Sequence, residues 1–173
     1  LEKTPFYAES GGQIGDSGQI GSSNTLFCVE DTYYLDNEIC HFGQLKEGSF
    51  TAQEIEVIAS VDNNKRDSLK SNHTSTHLLH KALKVVLGNE VQQAGSLVSD
   101  NHLRFDFTYY KKVNSNELNE IENIANNIIR KNIDLETKIK NFEDAKAEGA
   151  VALFGEKYDD EVRIVNIEGF SKE

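Results

Sequence analysis

The sequence predicts an α+β fold, because its residue pattern changes near position 62. Before that point, short runs of β-branched and aromatic residues alternate with glycine-rich turn signals. From Asn63 to Leu87 there is no glycine or proline, and apolar residues recur at the spacing of an amphipathic helix. We therefore expect a small β-barrel over residues 1–62, packed against an α/β domain over residues 63–173.

Each predicted element has a local signal. The runs Thr25–Val29 and Glu54–Ile58 are typical of strands in the barrel, and Gly88 supplies a stop signal for the helix Asn63–Leu87. The later elements are a strand at Leu103–Phe107, a helix at Ser115–Lys131, a strand around Ile133–Ile139, a short helix at Asn141–Glu148 and a strand at Val162–Ile167. The inner face predicted for the second helix consists of Leu118, Ile121, Ile124, Ala125, Ile128 and Ile129.

The charge balance limits the kinds of partner. There are 29 acidic against 18 basic residues, a net charge of -11, so a protein that binds nucleic acid across a broad basic surface is excluded. Any such binding is expected to be local. The basic residues available for a local patch are Lys3, Lys65, Arg66, Lys70, Lys81, Lys84 and Arg104.

Further composition features indicate the cellular setting. No apolar run approaches the ~18 residues of a membrane helix, and no signal-peptide pattern is present. The two cysteines, Cys28 and Cys40, are too few for a disulfide scaffold, which favours reduced thiols and a cytoplasmic protein without a membrane partner. Because the chain contains no methionine and ends in an ordinary charged stretch, we expect it to be a piece of a longer protein.

The most specific chemical pattern is a pair of histidines within the long predicted helix. His73 and His77 are four residues apart, so both lie on one helix face about one turn from each other, as two ligands of one metal ion require. Ordinary polar histidines on a helix face are the alternative. A zinc protease does not fit, because Thr74 stands where that motif has its glutamate. His80 is less suited as a third ligand.

Two other segments have both a functional and a structural interpretation. The glycines around Gly11, Gly12 and Gln13 can bring backbone N–H groups close to a phosphate or ribose, or can simply allow tight turns between strands. The amide of Gln93 can bind a substrate carbonyl or hydroxyl, or can belong to a polar turn that ends at Gly95.

Taken together, five segments closely resemble the editing region of bacterial alanyl-tRNA synthetases. They are Pro5–Asp16 (PFYAESGGQIGD), Asn72–His80 (NHTSTHLLH), Gln93–Val98 (QAGSLV), Leu103–Phe107 (LRFDF) and Ala152–Tyr158 (ALFGEKY). The resemblance covers nearly the whole chain. It implies a β-barrel followed by the α/β editing fold that is shared with free-standing alanyl-tRNA deacylases and with the editing domain of threonyl-tRNA synthetase.

The resemblance also implies a site. His73 and His77 correspond to two zinc ligands, and the family completes the site with a Cys-x-x-x-His pair after a segment like residues 169–173, so we expect a half-complete zinc site here. Thr76 and Gln93 are implied to line the catalytic pocket, with Gly11, Gly12 and Gln13 in a loop facing it. ATP is implied only for the aminoacylation domain, which this chain lacks.

The activity implied by the resemblance is hydrolysis of seryl- or glycyl-tRNA(Ala), with the tRNA acceptor end and the remainder of the synthetase as partners. Zinc would activate a water or position the substrate, and both roles stay open. A tRNA-docking module without catalysis and a free-standing deacylase are the alternatives.

Overall fold

The computed structural model describes residues 1–50, 56–147 and 160–172, and the chain divides into two compact units. The first unit comprises Leu1–His73 and Ser96–Arg104. The second comprises Thr74–Gly95 and Phe105–Glu173. Both helices and antiparallel sheets are present, which confirms the α+β prediction.

The first unit contains a four-stranded antiparallel sheet. Its strands are β1 (Gly18–Ser22), β2 (Thr25–Leu35), β3 (Glu38–Glu47) and β4 (Ile58–Val61), in the spatial order β3-β2-β1-β4. Side chains alternate between the two faces of a strand, and the inward-facing residues Ile20 and Val29 pack with Phe6 in a small core.

The predicted barrel is not seen as a closed ring in the described ranges, where β3 and β4 form the two edges of an open sheet. Of the predicted strand Glu54–Ile58, Glu54 and Ile55 lie outside the described residues, and the prediction is wrong at Glu56 and Val57, because β4 begins only at Ile58. Cys28 in β2 and Cys40 in β3 are free thiols.

Helix α1 spans Asn63–Leu87, the same bounds that the sequence predicts. The Asp62 carboxylate caps its start, because Oδ1 accepts hydrogen bonds from the N–H groups of Asn64 and Lys65 at 3.0 and 3.2 Å. The helix stops at Gly88, whose φ of 102° is accessible mainly to glycine. Local signals therefore determine both ends.

The second unit is built around the C-terminal half of α1 and helix α2 (Ser115–Arg130). Its core consists of Ala82, Leu83, Leu87, Val91 and Ile121, surrounded by half-buried residues that include Phe105 and Phe107. Strands β5 (Gln92–Val98) and β6 (Leu103–Thr108) form a two-stranded sheet.

Three further strands and a short helix follow α2 in this unit. Strands β7 (Leu135–Asn141), β8 (Glu161–Ile167) and β9 (Ser171–Lys172) form an antiparallel sheet in the order β7-β8-β9, and α3 spans Phe142–Ala147. These bounds agree closely with the prediction, although its Glu148 and the segment Ala152–Tyr158 lie outside the described residues.

The predicted inner face of α2 is partly wrong. Ile121 is buried, but Leu118 and Ile129 are 54% and 52% exposed. The apolar residues of this helix cover a stripe wider than the surface that packs against the core, so those at its margins face solvent. Among the described residues, no helix has the length and apolar character needed to cross a membrane.

Candidate functional site

Arg66, in the first turns of α1, binds the segment that follows the glycine-rich loop. Its guanidinium forms an ion pair with the Asp16 carboxylate, and its Nη2 also donates to the carbonyl oxygen of Pro5 at 2.6 Å. The carboxylate also accepts a hydrogen bond from the backbone N–H of Tyr7 at 2.7 Å. Asp16 is only 1% exposed, so these bonds offset the cost of burying its charge.

The glycine turn, which we define as residues 10–13, is a tight two-residue hairpin. The N–H groups of Ser10 and Gln13 donate to each other's carbonyl oxygens at 3.2 and 3.0 Å, and Gly11 and Gly12 have φ angles of 58° and 80°. Positive φ at both central residues is the signature of a type I′ turn, which glycine adopts without steric cost. These glycines therefore form a tight turn, and their predicted substrate contact stays a prediction.

The glycine turn also lies directly against the end of β5. The N–H of Val98 donates to the carbonyl of Gly12 at 2.8 Å, and the N–H of Ile14 donates back to the carbonyl of Val98 at 3.1 Å. A Cβ added at Gly12 would lie 2.5 Å from the backbone oxygen of Ser96, whereas one at Gly11 would meet nothing within 4 Å. Position 12 thus requires glycine for two reasons: the backbone of Ser96 lies too close for a Cβ, and the φ angle is positive.

Gln93 belongs to a strand, so the interpretation of Gln93–Gly95 as a polar turn is wrong. The segment pairs within the β5-β6 sheet, and its side chain is half-buried. Gly95 fits a strand here because a Cβ at that position would lie 2.9 Å from Oδ2 of Asp106. A side chain from the neighbouring strand, which sequence proximity does not reveal, occupies the space.

His73 and His77 both lie within α1, one turn apart, and both are half-buried. The Nε2 atom of His77 is buried and makes no hydrogen bond within the described part of the chain, although the residue takes part in another interaction. Asn72, directly before His73, donates from Nδ2 to the carbonyl of Ser99 at 2.8 Å. This bond ties the helix, at the position of the first histidine, to the turn after β5.

Thr76 and His80 occupy more enclosed positions on the same helix. Thr76 is 8% exposed, and its residue takes part in a specific interaction. His80 is 3% exposed, and its ring lies 5.3 Å from the ring of Phe105, centroid to centroid. His80 thus packs against the aromatic ring of a β6 residue.

Among the described residues, His73 and His77 are the two side chains that the sequence predicts as zinc ligands. Two imidazoles at i and i+4 on a helix suit zinc, but a tetrahedral site needs further ligands. Across residues 1–50, 56–147 and 160–172, no group of three or more His, Cys, Asp or Glu side chains is placed to hold a metal. His73 and His77 are thus of the residue type that zinc prefers, and zinc binding here would need further ligands.

Comparison with known proteins identifies the family. Residues 1–65 match the family model described as tRNA synthetases class II (A). The whole chain is similar to the alanine–tRNA ligase of Legionella pneumophila (strain Paris), with 46% identity over 173 residues. The chain belongs to the alanyl-tRNA synthetase family. It spans 20% of the length of that relative, so it corresponds to one region of such a synthetase.

Sequence reasoning missed two residues that organise this part of the chain. Asp16 stands inside the recognised segment, but its partner Arg66 is 50 positions away along the chain. Asn72 precedes the first histidine and bonds across 27 positions. For Asp16 a signal was available, because a charged residue interrupts an otherwise apolar and glycine-rich segment. For Asn72 the neighbouring sequence gave no signal of its role.

Proposed function

We propose that this region of the alanyl-tRNA synthetase hydrolyses tRNA(Ala) that carries the wrong amino acid, serine or glycine. The observation that carries the proposal is the arrangement on α1, where His73 and His77 share one helix face and buried Thr76 directly precedes the second histidine. The identity to an alanine–tRNA ligase along the whole chain supports the same assignment.

The need for a second site follows from the chemistry of the two amino acids. A pocket shaped for alanine rejects serine poorly, because a hydroxyl adds little volume. A pocket that hydrogen-bonds the serine hydroxyl rejects alanine, which leaves a buried polar group without its bond. We assign this role to the hydroxyl of Thr76, a side chain that is 8% exposed.

His73 and His77 would hold a zinc ion, together with the Cys-x-x-x-His pair that the family resemblance implies after this region. When bound, zinc supplies Lewis acidity, either to lower the pKa of a water or to hold the amine or carbonyl of the substrate. The amide of Gln93, on β5, would orient the ester carbonyl or the attacking water. Gly11, Gly12 and Gln13 would contact the tRNA acceptor end, as the family resemblance implies.

The decisive experiment uses the full-length synthetase and its variant His73→Ala/His77→Ala. We expect the variant to lose bound zinc and to hydrolyse seryl-tRNA(Ala) at least ~100-fold more slowly, since the ligand pair is removed. His102→Ala is the matched control, because His102 is an exposed histidine in the turn between β5 and β6. The control should retain both zinc and hydrolysis.

Each result has a distinct meaning. Zinc-free but fully active enzyme would remove the metal from the mechanism and leave the editing assignment intact. Wild-type enzyme that binds tRNA(Ala) but leaves seryl-tRNA(Ala) unhydrolysed would overturn the assignment and favour a tRNA-docking module. A parallel assay of the 173-residue chain and of a form extended through the Cys-x-x-x-His pair would show whether the added ligands restore activity.

A further inference from the structure

A shallow groove of about 160 Å³ lies on one face of the β7-β8-β9 sheet, within the second unit. Its lining consists of Glu136, Lys138, Lys140, Ile164, Asn166 and Lys172. The strand register explains this grouping, because every second residue of β7 faces the same side. Asn166 on β8 lies opposite both Glu136 on β7 and Lys172 on β9.

The groove is basic in a protein that is strongly acidic. Three lysines and one glutamate line it, whereas the whole chain carries a net charge of -11. Two of the basic residues that the sequence offered for a nucleic-acid patch are used inside the protein. Lys65 donates to the carbonyl of Gly15 at 3.1 Å, and Arg66 pairs with Asp16. The groove therefore gathers positive charge at a place that the sequence pattern did not indicate.

Glu136 is an anionic side chain that lies beside the lysines of this groove. Its carboxylate lies 2.7 Å from Nζ of Lys138. That hydrogen bond, with smaller contributions from the charge of Lys138, the amide of Asn166 and the charge of Lys140, lowers the pKa of Glu136 from its ordinary value. Both partners of the ion pair are more than half exposed, and such pairs contribute little to stability. An external anion can therefore compete with Glu136 at low cost.

We propose that this groove binds the phosphodiester backbone of the tRNA, with Lys138, Lys140 and Lys172 contacting phosphates and Asn166 donating a hydrogen bond. The choice of tRNA as the source of the phosphates rests on the proposed function. Several lysines spread over three adjacent strands suit a chain of phosphates better than one small anion, because each lysine acts as a separate point charge.

The first test measures tRNA(Ala) binding to the full-length synthetase at several salt concentrations. Each phosphate contact that is lost should lower the slope of log K against log salt by about 0.7 to 0.9. We expect Lys138→Gln/Lys140→Gln/Lys172→Gln to reduce the slope by about 2 to 3. The control Lys46→Gln/Lys112→Gln/Lys131→Gln removes the same charge at exposed positions outside the groove and should leave the slope unchanged. Equal slopes in the two variants would overturn the proposal.

The second test changes the charge in the opposite direction. Glu136→Gln removes the competing anion and should strengthen tRNA binding several-fold at low salt, whereas Glu120→Gln, an exposed position on α2, should have a smaller effect. Weaker or unchanged binding by Glu136→Gln would contradict the proposal. Because Gln keeps the size of the side chain, misfolding is not expected to obscure the result.

Two further measurements separate the outcomes. Inorganic phosphate, titrated alone, should not saturate the groove in the millimolar range, and saturation would assign it to a small anion instead of RNA. Hydrolysis of seryl-tRNA(Ala) is measured at saturating tRNA in the same variants. Absence of hydrolysis in the wild type would refute the proposed function, while the salt slopes would still decide whether the groove binds RNA.

Discussion

The buried carboxylate of Asp16 and the guanidinium of Arg66 connect the segment after the glycine turn to the first turns of α1. The Asp16 side chain is 2% exposed and the Arg66 side chain 28% exposed, so the pair is largely shielded from water. Lys65, the preceding residue, adds a hydrogen bond from Nζ to the carbonyl of Gly15. Two consecutive cationic residues thus attach the helix to the same loop.

Asp16→Ala should destabilise the protein by roughly 2 to 4 kcal/mol, because it leaves Arg66 and the N–H of Tyr7 without their shared acceptor. The matched control is Asp67→Ala, which breaks an exposed ion pair with Lys70 and should cost less than about 1 kcal/mol. Urea unfolding measures both values. Similar losses in the two variants would contradict a structural role for the buried pair.

Gly12→Ala should be more destabilising than Gly11→Ala. Both residues have positive φ, so each substitution costs about 1 kcal/mol in backbone strain. Only the new Cβ at position 12 clashes with the backbone of Ser96, which adds about 1 to 3 kcal/mol. Thermal unfolding of the two variants tests this order. Equal melting temperatures in the two variants would contradict the conclusion that the glycine turn lies close to the backbone of β5.

Thr76→Val should reduce discrimination between seryl- and alanyl-tRNA(Ala) in the full-length synthetase by about 10-fold or more, because valine keeps the shape but lacks the hydroxyl. Thr76→Ser, which keeps the hydroxyl, should largely preserve the discrimination. The measurement is kcat/KM for hydrolysis of each charged tRNA. Full serine preference in the valine variant would remove Thr76 from the specificity mechanism.

Stability should fall as the solution is acidified through the titration range of His41. Burial lowers the pKa of His41 from its ordinary value of 6.5, so the folded protein binds fewer protons at this residue than the unfolded chain does. The stabilising contribution is complete above pH 6.5 and is lost as the pH falls through the folded-state pKa.

The expected consequence is a lower urea midpoint at acid pH, part of which disappears in His41→Gln. Gln can retain the hydrogen bond that His41 makes with the Thr4 hydroxyl, which measures 2.7 Å. His102→Gln, at an exposed position, serves as the control and should leave the pH dependence as it is. An unchanged pH profile in His41→Gln would show that other groups cause the loss.

The elements that the sequence predicts well are those with strong local signals. Helix α1 has an unbroken apolar period, an aspartate cap and a glycine stop, and its bounds were predicted correctly. Strand β5 was not predicted, and a polar turn that ends at Gly95 was one of two interpretations of its sequence. Its strand conformation depends on pairing with β6 and on contact between Gly12 and Val98, both of which involve distant parts of the chain.

The candidate site likewise combines features that follow from the local sequence with features that depend on distant residues. The spacing of His73 and His77 is a local property, so their shared helix face could be predicted from the sequence. The fixing of that helix by Arg66 and Asn72 depends on partners 50 and 27 positions away. The groove on β7 to β9 likewise requires the register of three strands, which the sequence alone does not specify.

Helix α1 also restricts which changes of chain length are tolerated. Arg66 and His73 are seven residues apart, close to two complete turns, so they point in nearly the same direction. An insertion or deletion of one residue between them would rotate His73 by about 100° relative to the Arg66 anchor. Substitutions at the exposed positions of this stretch leave that angle unchanged. Relatives are therefore expected to vary here in residue identity and to keep the number of residues constant.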